Sequence, residues 1–303
     1  MSAPPTTNRY AAGGTNEGNF AAGDWGLLLT TALIWGSSFL WIAIGLDSFH
    51  PGAIAWGRMA LGLGVLWFVP AARESIPRSA WPALAVVAIA GNAAPAVFFP
   101  LAQQRVESSV AGMLNSASPM LVLVISVVMT RRLPQRLQIV GLGIGLLGAV
   151  MLAIPNLAGA DAQPLGVLFV LLAISGYALS NNFLPRLVQT YNAPAVIARA
   201  MLASTLLLLP YGLWGVTHSS FSWTSLVALI ILGVFGTGIA RSTFAALTGR
   251  VGAPRSALIG YLVPVVAVTL GVAVRNETVG VFELAGTALV LVGATFISRG
   301  RSA

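Results

Sequence analysis

The sequence predicts an all-α integral membrane protein with ten transmembrane helices in two five-helix repeats of inverted topology. Composition is the first observation behind this prediction, because 57% of the 303 residues are hydrophobic and only 8% are charged. The second is a series of apolar runs of about 20 residues each, the length that crosses ~30 Å of hydrocarbon as a helix. The third is an internal duplication, which is typical of folds built from structural repeats.

The elements follow in order from the N-terminus. Residues 1–23 are small, polar and aperiodic, which predicts a disordered cytoplasmic tail without the basic start and apolar core of a signal peptide. Glycine and proline inside the apolar runs are compatible with membrane helices. The ten predicted spans cover about 25–46, 52–70, 80–102, 107–129, 137–154, 164–188, 193–214, 223–248, 254–274 and 281–298.

The duplication divides the chain into a first repeat, 24–154, and a second repeat, 155–303. Residues of the same type recur 145 positions apart, as in Arg105 and Arg250, Pro119 and Pro264, and Gly148 and Gly293. Because each repeat has an odd number of spans, the second repeat must enter the membrane in the opposite direction to the first. Two inverted halves can expose a shared central site to each side in turn.

The arginines predict the orientation in the membrane. With the N-terminus in the cytoplasm, only Arg105 and Arg275 fall in links on the outer side, and three arginines fall within spans. The remaining eleven lie on the cytoplasmic side: Arg9, Arg73, Arg78, Arg131, Arg132, Arg136, Arg186, Arg250, Arg255, Arg299 and Arg301. This positive-inside bias places both termini in the cytoplasm and accounts for the net charge of +8 without a nucleic-acid partner.

Several kinds of chemistry are excluded by residue types that the chain lacks. It has no cysteine and no lysine, so disulfides, a phosphate-loop lysine and a Schiff-base lysine are impossible. The spans contain no histidine and no carboxylate pair that could form a catalytic site. We therefore expect no enzyme, no cofactor and no metal site, and the expected partners are the lipid bilayer and a small-molecule substrate.

Polar and aromatic side chains within the spans are the candidate substrate contacts. These are Trp35, Ser38, Asn92, Asn115, Tyr177, Asn181 and Tyr261. Polar side chains in a membrane usually face the bundle interior, and aromatic faces with a few amides suit a flat, largely apolar ligand. The alternative for any one of them is that it joins or packs helices.

Pro119 and Pro264 lie near the middle of the fourth and ninth spans and are the candidate hinges. Each removes a helix hydrogen bond and frees the carbonyl four residues earlier, at Asn115 and Gly260. A freed carbonyl at this depth requires a wet cavity or a partner. The two interpretations are a pair of flex points beside a substrate site and a pair of ordinary kinks.

Three arginines lie within spans. Arg58 and Arg199 are each about seven residues into matching helices, which favours a gating or structural role at opposite membrane faces. Arg241 in the eighth span has no match in the first repeat. It either receives a substrate carboxylate or extends its side chain to the cytoplasmic surface.

Acidic residues are scarce within the spans. Only Glu283 falls inside one, near its end, and both histidines, His50 and His218, fall in outer links. A proton-coupled carrier needs a buried group that titrates, so the sequence favours uniport.

Glycines of the fifth and tenth spans predict one close helix contact. Gly141, Gly145 and Gly148 share a helix face, and Gly286 and Gly293 repeat part of it. Contact between the two helices of one chain and contact between two copies of the chain are both compatible with this face. The oligomeric state is therefore left open.

The sequence resembles the EamA-type ten-helix exporters of the drug/metabolite transporter superfamily, and among them the YddG-type aromatic amino acid exporters. The likeness lies in residues 35–39, in Arg58 and Arg199, in the two prolines and in Glu277. Arg132 departs from the pattern, because it stands opposite Glu277 in the other repeat, where the family often has an acid. The resemblance implies alternating-access export of small metabolites, amino acids among them, across a bacterial inner membrane. The alternative is a flippase or exporter of lipid-linked or drug-like molecules, which would need a side opening toward lipid.

Overall fold

The computed structural model describes residues 15, 21–130, 136–157, 163–257 and 259–299, and it confirms the all-α fold class. Ten helices of 17 residues or more lie in these ranges, and each begins and ends within a few residues of a predicted span. They are α1 Ala22–Leu46, α2 Pro51–Trp67, α3 Arg78–Gln103, α4 Ser108–Met129, α5 Arg136–Leu157, α6 Pro164–Thr190, α7 Ala193–Thr217, α8 Trp223–Val251, α9 Ile259–Arg275 and α10 Val281–Arg299. The predicted tail lies almost entirely outside the described residues.

The helices have the length and surface of membrane spans. By length and composition α1, α3, α4, α6, α7 and α8 can each cross a bilayer. Helices α5 and α10 have 22 and 19 residues, and α2 and α9 have 17 each, the lower limit for a span. Large apolar side chains such as Leu33, Leu206 and Leu207 are exposed on the outer surface, as lipid contact requires. The chain is a multi-pass membrane protein.

Polar contacts at the helix ends define two faces of the bundle. At the first face, Asp24 at the start of α1 pairs with Arg250 at the end of α8. At the second face, Asp47, which follows α1, pairs with Arg275 at the end of α9. The start of α6 also lies at the second face, because Gly166 packs against the end of α3 beside Arg105. Helices α1 and α6 therefore run in opposite directions, and the repeats are inverted.

Contacts between the repeats follow this symmetry. Helix α1 packs on α8 and α9, and α6 makes the equivalent contacts with α3 and α4, while α2 packs on α7 and α5 on α10. In the α5–α10 contact, a Cβ on Gly148 would meet the backbone of α10 at Gly286, and one on Gly293 would meet the backbone of α5 at Gly141. The predicted glycine faces thus meet within one chain.

The two prolines lie in different local structures. Helix α4 is interrupted by a turn at Ser116 and Ala117, immediately before the segment that contains Pro119. Side chains stabilise this turn, because the Ser116 hydroxyl donates to the Met113 carbonyl and the Ser118 hydroxyl donates to Asn115 Oδ1. In contrast, Pro264 lies inside the continuous helix α9, and the chain turns earlier, at Ala257.

Candidate functional site

A cavity between the two repeats brings together most of the predicted substrate contacts. It contains about 680 Å³ of empty space, part of it open to solvent. Helices α1, α2, α3 and α4 of the first repeat and α6, α8 and α9 of the second contribute to its wall. The predicted residues that line it are Trp35, Ser38, Asn115, Tyr177, Asn181 and Arg241, together with Arg58.

Aromatic rings form a continuous section of the cavity wall. Trp35 stacks on Tyr177 with the ring centroids 6.2 Å apart, and it contacts Phe244 at 4.8 Å. Phe99 joins the other side of Tyr177 at 5.8 Å and meets Phe39 edge to face at 5.3 Å. Rings in such arrangements attract one another beyond simple area burial. The wall therefore offers a rigid apolar surface to a flat ligand.

Two wide helical turns support the polar part of the site. Ile89–Ala93 in α3 and Leu232–Ile239 in α8 are π-helical, and these helices occupy equivalent positions in the two repeats. A π-helical turn disturbs the normal hydrogen-bond ladder and often occurs at functional sites. The Trp35 indole uses the second of these turns, because its Nε1 donates to the Gly236 carbonyl at 3.1 Å.

Arg241 is held by the wide turn of α3. Its guanidinium donates to the carbonyl of Gly91 and to Oδ1 of Asn92, and the bond from Nε to Oδ1 is 2.9 Å long. Its Cζ atom also lies 5.2 Å from the centroid of the Tyr177 ring, a favourable cation–π contact. The side chain is only 5% exposed, so it points into the protein and does not extend to the surface.

Arg58 is held in a similar way by the wide turn of α8. Its Nε donates to the Thr237 hydroxyl at 3.0 Å, and that hydroxyl donates to the Leu232 carbonyl at 3.0 Å. Arg58 is also 5% exposed, and its Nη1 has no hydrogen-bond partner among the described residues. The wall of the cavity thus contains a second buried cation.

The amides have different roles. Asn92 is buried beside the cavity, where it holds Arg241 and is not one of the described lining residues. Asn181 lines the cavity, and its Oδ1 has no hydrogen-bond partner in the described structure. Asn115 lines it from the turn of α4. The side chain of Tyr261 lies outside the described part of the chain.

The sequence of the chain matches a known family over both repeats. The EamA-like transporter family matches residues 25–154 and again residues 164–299. The chain belongs to this family.

Individual relatives of the transporter are distant but nearly full-length. It is 26% identical over 285 residues to the uncharacterised inner membrane transporter YedA of Escherichia coli (strain K12), covering 91% of this chain and 90% of that protein. It is 24% identical over 278 residues to a probable amino-acid metabolite efflux pump of Salmonella typhimurium, covering 88% and 92%. One crystal structure matches with a TM-score of 0.65 at 18% identity over 91% of this chain and 96% of that one, a likeness of fold alone.

Arg199 does not join the cavity, although it matches Arg58 in the repeat. Its Nη2 donates at 3.1 Å to the carbonyls of Arg73 and Glu74, at the first face, where the side chain is half-buried. The hinge candidates lie nearer, since Gly260 lines the cavity and a Cβ on it would lie 3.2 Å from Pro119 Cδ. Helices α4 and α9 therefore approach each other closely at Pro119.

Sequence reasoning missed the wide turn of α3 and the position of Arg58. A signal for the turn was present, because Pro95 has no N–H and so leaves the carbonyl four residues earlier, at Gly91, without its helical donor. This is the carbonyl that Arg241 binds.

A separate groove lies between the start of α3 and the end of α6, at the first face. It contains about 1330 Å³ of empty space, including open solvent, and Ala83, Phe183 and Arg186 are among its lining residues. This groove shares no described lining residue with the central cavity.

Proposed function

We propose that this transporter exports small amphipathic metabolites, amino acids including aromatic ones, across a bacterial inner membrane through the central cavity. The observation that supports this most is the composition of the cavity wall, where stacked rings such as Trp35 and Tyr177 lie beside the amides of Asn115 and Asn181. An aromatic side chain can stack on the rings while polar groups of the ligand bond to the amides. A wall of this composition suits binding and release of a ligand without a catalytic step.

The relatives and the arginines support the location and the cargo. The Salmonella protein is named as a probable amino-acid metabolite efflux pump and the E. coli protein as an inner membrane transporter. At least four arginines lie at the first face, namely Arg73, Arg78, Arg186 and Arg250, whereas Arg105 and Arg275 lie at the second. By the positive-inside rule the first face is cytoplasmic, together with both termini.

Alternating access is the proposed mechanism. At the second face, the Glu277 carboxylate accepts hydrogen bonds from the backbone N–H groups of Ser108 and Ser109, so the segment after α9 is fastened to the start of α4. Opening that face requires this contact to break, and the turn of α4 before Pro119 is the nearest place where the helix can bend. No aspartate, glutamate or histidine occurs among the described lining residues, which supports uniport.

Efflux from liposomes tests the proposal. Purified protein is reconstituted in liposomes preloaded with single amino acids, and efflux is compared between the wild type and a Tyr177→Ala, Asn181→Ala double variant. Trp223→Ala is the control, because Trp223 is 72% exposed and outside the described cavity wall. We expect saturable efflux of aromatic amino acids that is lost in the double variant, kept in the control and unaffected by a pH gradient.

Absence of efflux for every amino acid, with folded protein, would contradict the proposal. Transport of a lipid-linked or drug-like molecule by the same preparation would then favour the alternative function. In that case substitutions in the groove between α3 and α6, such as Phe183→Ala, should reduce transport more than substitutions at Tyr177.

A further inference from the structure

The central cavity contains two positive charges for which the described part of the chain supplies no negative partner. Arg58 and Arg241 both line the cavity and are both buried. A guanidinium group stays charged in proteins, and burying it without a counter-charge is strongly unfavourable. The hydrogen bonds that they donate to Thr237, Gly91 and Asn92 orient the two groups but do not neutralise them.

The acids that the structure describes lie away from this pair. Five acidic side chains are described, and all of them lie at or beside helix ends: Asp24, Asp47, Glu74, Glu107 and Glu277. Asp24 and Asp47 have their own arginine partners, and Glu277 binds the start of α4. Among the described residues no acid pairs with Arg58 or Arg241, which leaves an anionic ligand as a suitable counter-ion for them.

The unused hydrogen-bonding atoms of the site have a matching pattern. Arg58 Nη1 is a buried donor without a partner, and Asn181 Oδ1 is a buried acceptor without one, within the described structure. A ligand that satisfies both must present an acceptor to the arginine and an N–H to the amide. A carboxylate next to an amide N–H has this arrangement, and a charge-assisted bond to a guanidinium is among the strongest in proteins.

We propose that Arg58 and Arg241 form a carboxylate-binding subsite in the central cavity, and that the transporter prefers monoanionic aromatic carboxylates, such as N-acylated aromatic amino acids, to zwitterionic ones. This inference rests on the proposed function, because it uses the same cavity and the same aromatic wall. The carboxylate binds Arg58 Nη1 and faces the guanidinium of Arg241, the ring stacks on Trp35 and Tyr177, and the acyl amide N–H donates to Asn181 Oδ1.

The preference for a monoanion follows from the charge of the described site. A monoanion removes one of two unbalanced positive charges, whereas a zwitterion leaves their sum unchanged. The ammonium group of a zwitterion would also lie close to two cations, with the neutral acceptor Asn181 Oδ1 as its partner. Like charges at short range in a poorly solvated site repel strongly.

Four related ligands test the inference on wild-type protein without any substitution. They are phenylalanine, N-acetylphenylalanine, phenylalaninamide and N-acetylphenylalaninamide, which combine the presence or absence of the carboxylate with the presence or absence of the ammonium. Binding to purified protein in detergent is measured by isothermal titration calorimetry, and competition is measured against radiolabelled efflux from liposomes. We expect each carboxylate to bind about 10- to 100-fold more tightly than its amide, the difference that a hydrogen bond to a charged group produces. N-acetylphenylalanine should bind more tightly than phenylalanine.

Substitutions then assign the effect to the arginines. In Arg58→Gln the carboxylate and the amide should bind within about threefold of each other, because glutamine keeps a donor but loses the charge. Arg78→Gln is the matched control, since Arg78 is exposed at the start of α3, and it should keep the wild-type ratio. Size-exclusion chromatography and circular dichroism check that each variant is folded.

The outcomes separate this inference from the proposed function. The inference is wrong if wild-type protein binds the amides as tightly as the carboxylates, or binds phenylalanine more tightly than N-acetylphenylalanine. Efflux of amino acids in the same experiments would leave the proposed function intact. If no amino acid is transported but the carboxylates still bind selectively, the proposed function is wrong and the carboxylate subsite stands. An unchanged ratio in folded Arg58→Gln would also contradict the inference.

Discussion

Arg58 in the first repeat and Arg199 in the second occupy matching positions of α2 and α7, and the protein places them in different environments. Arg58 is buried in the cavity wall, where it binds Thr237 of the opposite repeat. Arg199 is half-buried at the first face and binds two backbone carbonyls that follow α2. Equivalent positions in the duplicated scaffold therefore do not imply equivalent roles for the charges.

The start of α4 and the segment before α9 differ in the same manner. Ser108 and Ser109 at the start of α4 are bound by Glu277, whereas the equivalent positions in the second repeat are Ala253 and Pro254, which have no side-chain hydroxyl. The residue that matches Glu277 is Arg132, outside the described residues. The symmetric parts of the molecule build the helices and their packing, and the asymmetric parts supply charge to one face and to the cavity.

The largest effect is expected where the symmetry is strict, at the α5–α10 contact. Gly148→Leu and Gly293→Leu should each lower the free energy of unfolding by roughly 3 kcal/mol or more, because the new side chain would collide with the backbone of the other helix. The two variants should lose similar amounts in thermal unfolding measured by tryptophan fluorescence. Gly26→Leu and Gly64→Leu are controls, since a Cβ at either position meets nothing within 4 Å. A large difference between Gly148→Leu and Gly293→Leu would contradict the symmetric packing.

A smaller effect is expected at Glu277, which acts at one face only. Glu277→Gln should lower the free energy of unfolding by about 1.5–3 kcal/mol, because the carboxylate accepts bonds from Ser108 and Ser109 and glutamine replaces one accepting oxygen by a donor. The neighbouring Arg275→Gln removes a partly exposed ion pair with Asp47 and should lower it by less than about 1 kcal/mol. Equal losses of unfolding free energy in the two variants would show that the Glu277 contact stabilises the protein no more than the partly exposed ion pair does.

The smallest effect is a pH dependence at His50, which precedes α2. Its Nδ1 accepts a hydrogen bond from the Gly52 N–H at 3.0 Å, and burial, followed by repulsion from His218, holds the His50 pKa below 6.5. The unfolded chain then binds the proton more readily than the folded protein. The stabilisation that comes from keeping the His50 ring neutral is therefore complete above pH 6.5, and it is lost as the pH falls through the lower pKa of the folded protein.

His50→Asn keeps a side chain that can cap α2 and removes the titration. We expect the melting temperature of the variant to fall less than that of the wild type when the pH is lowered from about 7.5 to 5.5, the window in which an ordinary histidine becomes charged. Asn192, which precedes α7 at the matching place, makes no side-chain cap and does not titrate. Identical pH profiles for the variant and the wild type would rule out this role for His50.

The sequence predicted the helices well because hydropathy and span length are local properties, and the inversion followed from the odd number of spans in each repeat. Trp35, Tyr177, Asn181 and Arg241 were predicted as site residues because polar and aromatic groups in a membrane usually face inward. The position of Arg58 could not be predicted in this way, since it depends on the wide turn of α8 in the opposite repeat. The repeat suggests a common role with Arg199, but the two side chains have different surroundings.

The central claim, that the chemistry of the cavity depends on the asymmetric charges, is tested most directly by comparing Arg58→Gln with Arg199→Gln. The ratio of the dissociation constants for N-acetylphenylalaninamide and N-acetylphenylalanine is measured in both variants and in the wild type by isothermal titration calorimetry. We predict that Arg58→Gln reduces the ratio from about 10–100 to about threefold or less, and that Arg199→Gln keeps the wild-type ratio. Equal ratios in the two variants would contradict the claim.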